Sequence, residues 1–217
     1  MAAENEGIIS EVKDFLAGLS LELPLLFPLP RPRPSPRRLP PAPQPAPAAE
    51  GRLHKHFPYQ GRDLPLTIIE APGTRRSEIV EDADGLRLLR GDDREAPQAV
   101  LREWLVDRAR EAFVERAAYW APRLEVRYER ITIRDQRTVW GSCTKAGHLN
   151  FNWRIVMAPP EVLDYLVIHE LSHLREMNHS RRFWAIVASQ CPEWRAHRRW
   201  LRDHSHRLKG AVRRAAA

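Results

Sequence analysis

The chain has 217 residues, 43% of them apolar, with seven tryptophans and a net charge of +7. That length holds one domain of about 150 residues plus a tail, with enough apolar material for a core. Two cysteines, Cys143 and Cys191, exclude a disulfide-built fold and fit a reducing cytoplasm, and no apolar run approaches the ~20 residues of a membrane span.

The opening MAAENEGIISEVKDF is acidic, and LSLELPLLFPLP is broken by Glu22 and three prolines, so no secretory leader is expected. Ile8, Ile9, Val12, Phe15, Leu16 and Leu19 have helical spacing, which predicts a short amphipathic helix within residues 1–20. A helix this short is marginal without a partner. Residues 24–47 hold eleven of the nineteen prolines. Such a segment cannot pair its backbone and is expected to be an extended, disordered arm. Its Arg31 to Arg38 run resembles a ligand for aromatic grooves, although a spacer is the simpler reading. These features place an arm over 1–56, a folded domain over 57–209 and a basic disordered tail over 210–217.

Within the folded part, Leu64 to Ala71 reads as a strand. Arg76 to Val80 and Leu86 to Arg90 read as a hairpin turning at Asp82-Ala83-Asp84-Gly85. Pro97 to Tyr119 reads as a long amphipathic helix with Val100, Leu101, Trp104, Leu105, Ala109, Phe113 and Ala117 inward. Leu124 to Arg134 alternates as a strand, and Trp140-Gly141-Ser142-Cys143 reads as a tight turn. His148 to Trp153 is a further strand, with Leu149 and Phe151 on one face and His148, Asn150 and Asn152 on the other. Cys143 reads as an inert turn or core thiol, because nothing nearby lowers its pKa. A short helix from Arg181 to Gln190 is expected to bury Phe183, Trp184, Ile186 and Val187. A last helix from Glu193 to Leu208 packs Trp194, Trp200 and Leu201.

Between these lies YLVIHELSHLREMNHSRRFW, Tyr165 to Trp184. Val162, Leu163, Leu166, Ile168, Leu171 and Leu174 give a helical apolar pattern behind Pro159-Pro160, with Glu161 in the first turn. His169 and His173, four apart, share one face of that helix and can reach one ion, and Glu170 can take a proton from its water. His179 offers a third ligand. It lies ten residues past His169, about 1000° of rotation, so the helix must end between Arg175 and Asn178. Asn178 tolerates the left-handed conformation that ends a helix, and Ser180 can cap the next one. Glu176 and Glu193 rival His179 for the third position. Three protein ligands with one open position describe a catalytic zinc site, and imidazole suits zinc. One zinc per chain is expected, with its water's pKa lowered to about 7. His197, His204 and His206 have no acidic or thiol companions and are not expected to hold a second metal.

The blocks WGSC, HLNFNWR, DYLVIHELSHL and NHSRRFW, in that order, resemble the YgjP-like metallopeptidase family, relatives of SprT-like and WLM zinc peptidases. The resemblance covers roughly residues 57–208. It implies an α+β, zincin-like domain with zinc on His169, His173 and His179 and Glu170 as general base. It also implies a strand along the cleft rim that pairs with extended peptide, for which His148 to Trp153 is the candidate. Tyr165, His148 and Arg154 are candidates by type for stabilising an oxyanion.

A peptide or protein is the leading substrate. Two alternatives remain: a nucleotide phosphoanhydride hydrolysed at the same metal, and protease action beside nucleic acid. The arginines favour an anion, but no Gly-rich phosphate loop is present. Between Trp194 and Arg214 eight Lys or Arg face one acid, Asp203. These could touch phosphates, or form a solvated face.

Overall fold

The computed structural model describes residues 55–215, so the expected N-terminal helix and proline-rich arm lie outside the described residues. The described part is α+β. Strands β1 (Lys55–Tyr59), β2 (Arg62–Glu70), β3 (Glu78–Asp82) and β4 (Gly85–Arg90) form a sheet in the order β1-β2-β4-β3. β1 and β2 pair antiparallel through a turn at Gln60 and Gly61, both with positive φ (50° and 75°). That left-handed pair matches the twist of a tight hairpin. The β3–β4 hairpin closes where the sequence places it, with Asp82 Oδ1 accepting from the amides of Asp84 and Gly85. β2 and β4 run parallel.

Helix α1 (Pro97–Arg123) starts on a proline that needs no partner for its missing N–H. Its buried residues Leu101, Leu105, Ala109, Phe113, Ala117 and Ala121 recur every fourth position and form one inward stripe. The helix runs a turn beyond the expected Tyr119, because Ala121 extends that stripe and Pro122 comes only in the last turn. Trp104 is half-buried against Tyr59, with ring centres 4.9 Å apart.

A second sheet has the order β5-β7-β6, with β5 (Arg130–Arg134) parallel and β6 (Gly141–Cys143) antiparallel to the central β7 (His148–Asn152). Two expectations are corrected here. The strand expected from Leu124 begins only at Arg130, because Glu125 takes φ 56° and the chain first closes the end of α1, Val126 N–H donating to Ala121. The WGSC run is not a turn: Gly141–Cys143 is a strand, and the reversal falls later, at Gly147 (φ 79°). Leu149 and Phe151 of β7 are fully buried, and the Phe151 ring stacks on Phe113 of α1 at 4.1 Å.

Asn152 caps a 3-10 turn, Trp153–Met157, by accepting from the Arg154 amide at 3.1 Å. The β1–β2 turn docks on it, with Gln60 N–H donating to Val156 and Gly61 N–H to Met157. A Cβ on Gly61 would stand 2.9 Å from Pro159, so glycine lets the hairpin close on the start of α2 (Pro160–Ser172). Asp164 of α2 accepts from the Trp120 indole at 2.9 Å and pairs with Arg116 at 3.3 Å, fixing α2 to α1. Helix α3 (Arg181–Gln190) buries Phe183 and Val187, whereas Trp184 and Ile186 are only half-buried. Helix α4 (Trp194–Ala215) passes the expected end at Leu208, and Gly210 to Ala215, expected as disordered tail, are helical. Leu201, Leu208 and Ala211 continue a buried stripe that outweighs the ~1 kcal/mol helix cost of Gly210.

Candidate metal centre

The local sequence sets where each histidine falls. α2 is buried nearly all round, with Val162, Leu163, Leu166, Val167, Ile168 and Leu171 at 5% exposure or less. It stops at Ser172, a few residues before the expected break. The Ser172 hydroxyl donates to the Ile168 carbonyl at 2.7 Å, a side-chain bond that loosens the last turn. The amides of Leu174, Arg175 and Glu176 then close tight turns on Leu171 and Ser172. No residue from Ser172 to Ser180 takes positive φ, so Asn178 does not act as a left-handed stop. Ser180 does cap α3, accepting from the Phe183 amide at 3.3 Å. His179 is thereby held between a closed turn and a fixed helix start.

These elements bring the three histidines together. His169 Nε2 and His179 Nε2 lie 3.1 Å apart, and ring centres are 5.0 Å apart for His169–His173 and 4.8 Å for His173–His179. One ligand atom from each falls within 4.8 Å of the others. Two nitrogens bound tetrahedrally to one zinc at 2.0–2.1 Å stand about 3.4 Å apart, so the observed pair needs to part by only a few tenths of an ångström. The Nδ1 of His173 is 3.3 Å from the Glu176 carbonyl, which turns its Nε2 toward the cluster. Glu176 thus orients the His173 ring through its backbone, and neither its carboxylate nor exposed Glu193 joins the cluster. Among the described residues, His197, His204 and His206 form no second cluster. His204 stacks on Trp200 instead.

Burial tunes the charges. It pushes His169 down to about 3, helped by His173, His179 and Arg198. Burial, with His179 close by, also lowers His173. Both shifts favour the neutral imidazole, the form that binds metal. Glu170 is 4% exposed, and burial raises it to about 8. Its carboxylate lies against β6, where a Cβ on Gly141 would meet Oε1 at 2.5 Å. Burial raises Cys143 to about 11, with the Glu170 charge adding to it, so this thiol is inert. Tyr165, 5.9 Å from the His169 ring centre to centre, is pushed up to about 12 by burial.

The other candidates for an electrophile are engaged elsewhere. Arg154 pairs with Asp135 and lies over Trp153, and His148 lies beside Arg130. β7 cannot serve as a peptide-pairing rim, because β5 and β6 occupy both its edges. The edge strand beside α2 is β6.

Sequence reasoning treats Phe183 and Trp184 only as core, yet they wall the cluster. The Phe183 ring stands 4.9, 4.5 and 4.7 Å from His169, His173 and His179. Trp184 stacks on His179 at 5.6 Å and lies 5.7 Å from His169. Their position in the first turn after Ser180 was the available signal, since a cap one residue past His179 sets the next helix's first turn against that residue.

Three imidazoles on a helix end and the following loop, with a buried glutamate between two of them in sequence, form a group that could hold one metal ion. The chain carries the match that this geometry leads one to expect: residues 37–204 fit the family model described as YgjP-like, metallopeptidase domain, and the chain belongs to that family. The match begins at residue 37, inside the proline-rich segment and well before the Phe57 start expected from the motifs. No curated protein and no solved structure matches the chain.

Proposed function

We propose that the protein is a zinc-dependent peptidase with His169, His173 and His179 as ligands and Glu170 as general base. The observation that carries this is the convergence of three imidazoles, with one ring nitrogen from each within 4.8 Å of the others and the Nε2 atoms of His169 and His179 3.1 Å apart. Zinc suits an all-nitrogen set of borderline ligands with a fourth position open. When bound there, it supplies Lewis acidity toward a substrate carbonyl and makes a coordinated water acidic.

The chain's own groups do the rest. Glu170 follows the first ligand and has a raised affinity for a proton, which suits a base that accepts one near neutral pH and returns it to a leaving amine. Tyr165 keeps its phenol proton and can donate it as a hydrogen bond to developing negative charge. Phe183 and Trp184 pack against the histidine rings, and burial favours the neutral form of His169 and His173. The edge of β6 offers Gly141 and Cys143 backbone groups to an extended peptide, a mode that needs an unpaired strand edge. Both cysteines are free, which accords with a reducing cytoplasm.

The test compares zinc-loaded wild type with Glu170→Gln on casein and on nucleoside triphosphates. The proposal expects casein cleavage that the variant loses while keeping its metal. Cleavage of triphosphates alone would overturn it.

A further inference from the structure

The first two turns of α4 carry Arg195, Arg198, Arg199 and Arg202, spaced i, i+3, i+4, i+7 and therefore on one face. With Trp194 they line an open groove of about 550 Å³. Two like-charge pairs at i, i+4, Arg195 with Arg199 and Arg198 with Arg202, each cost the helix a few tenths of a kcal/mol. No acid occupies the first turn to offset them. Among the described residues no carboxylate pairs with Arg195, Arg198 or Arg199, and only Arg202 has one, its neighbour Asp203 at 2.9 Å. Four of the five arginines of α1 differ: Arg102, Arg108, Arg110 and Arg116 each meet an acid.

The groove is tied to the metal centre by a run of ring contacts. Arg195 lies over Trp194 at 4.4 Å, and Trp194 stacks on Trp184 at 4.0 Å with 16° between the planes. Arg198 lies 5.3 Å from the Trp184 ring, the ring that also touches His169 and His179. The Arg198 guanidinium is therefore within about 11 Å of the His169 ring, the reach of some three residues of extended chain. Guanidinium forks match carboxylates in pairs, and indole faces hold the forks in place.

We propose that this arginine face, backed by the Trp184–Trp194 stack, binds acidic side chains of the peptide substrate about three residues from the bond that is cut. The inference rests on the peptidase reading for its cleavage arm only. Nucleic acid is the less favoured occupant. The groove spans two helical turns, the length of a few residues, and it opens beside the candidate metal centre.

Binding is measured by fluorescence anisotropy on the full zinc-loaded chain carrying Glu170→Gln, so that the probe stays intact. The probes are a labelled ten-residue peptide with three glutamates, its glutamine counterpart and a short DNA duplex, at low and moderate salt. The expected result is at least tenfold tighter binding of the Glu peptide than the Gln peptide, weakening with salt. Arg195→Gln, Arg198→Gln and Arg199→Gln combined should remove at least fivefold of that preference without lowering Tm. Equal binding of the two peptides, or no effect of the triple variant, overturns the proposal. So does tighter binding of the duplex through the same three arginines. In the wild type, kcat/KM should favour acidic peptides. Selective binding without cleavage of any peptide sustains the groove and overturns the peptidase reading instead.

Discussion

At Gly141 a hydrogen stands where any other residue would place a carbon 2.5 Å from Glu170 Oε1 and 2.9 Å from its Cδ and Cγ. The carboxylate is buried and has little room to step aside. Gly141→Ala should therefore leave close to one metal per chain yet lower kcat by roughly tenfold or more, the scale of a displaced general base. An unchanged kcat would show that Glu170 owes nothing to β6. Burial of Glu170 has a second consequence in the metal-free protein. Its folded-state pKa, about 8, is above the unfolded 4.5, so the native state holds the extra proton. Stability is then lost as pH rises between those values. Metal-free Glu170→Gln should gain on the wild type across that window and hold a constant advantage above it. Melting curves at several pH values that stay parallel for the two proteins would refute this.

At the scale of elements, the metal centre depends on how α2 stops and α3 starts. Ser180→Ala removes the cap of α3 and should cost about 1 kcal/mol in thermal unfolding. Because His179 is the residue just before that cap, the same change should weaken metal binding, read by competition with a chelator. Retained affinity would mean that His179 is held by something other than the helix start. The contact between α1 and the second sheet is the larger stabiliser. Phe113→Ala, which empties the stack on Phe151, should cost about 3–5 kcal/mol.

The same elements show what a sequence discloses. The α1 stripe, the β3–β4 hairpin and the shared face of His169 and His173 were legible, because a helical period, an Asp-Gly turn and a four-residue spacing are local patterns. β6 was not, since Gly-Ser-Cys has no strand propensity and is held extended by pairing with β7 and packing on α2. The run of α4 past Gly210 was missed for a like reason: Leu208 and Ala211 are buried by elements distant in sequence. The role of Trp184 also depended on tertiary placement, as its spacing alone gives only an inward-facing aromatic.

Among the described residues, both sheets pack on α1, and the 3-10 turn that leads from β7 into α2 also holds the β1–β2 turn. Hairpin, turn and Pro159 form one continuous support for the helix that carries His169. Excess positive charge gathers on α4, beside the centre rather than spread over the surface. Every functional claim rests on three histidines holding one ion. Metal content per chain should be measured after dialysis against dilute chelator, for the wild type and for His169→Ala, His173→Ala, His179→Ala and Glu193→Ala. The account predicts about one zinc in the wild type and in Glu193→Ala, and almost none in each histidine variant. Full zinc retention by His179→Ala, or loss in Glu193→Ala alone, would contradict it.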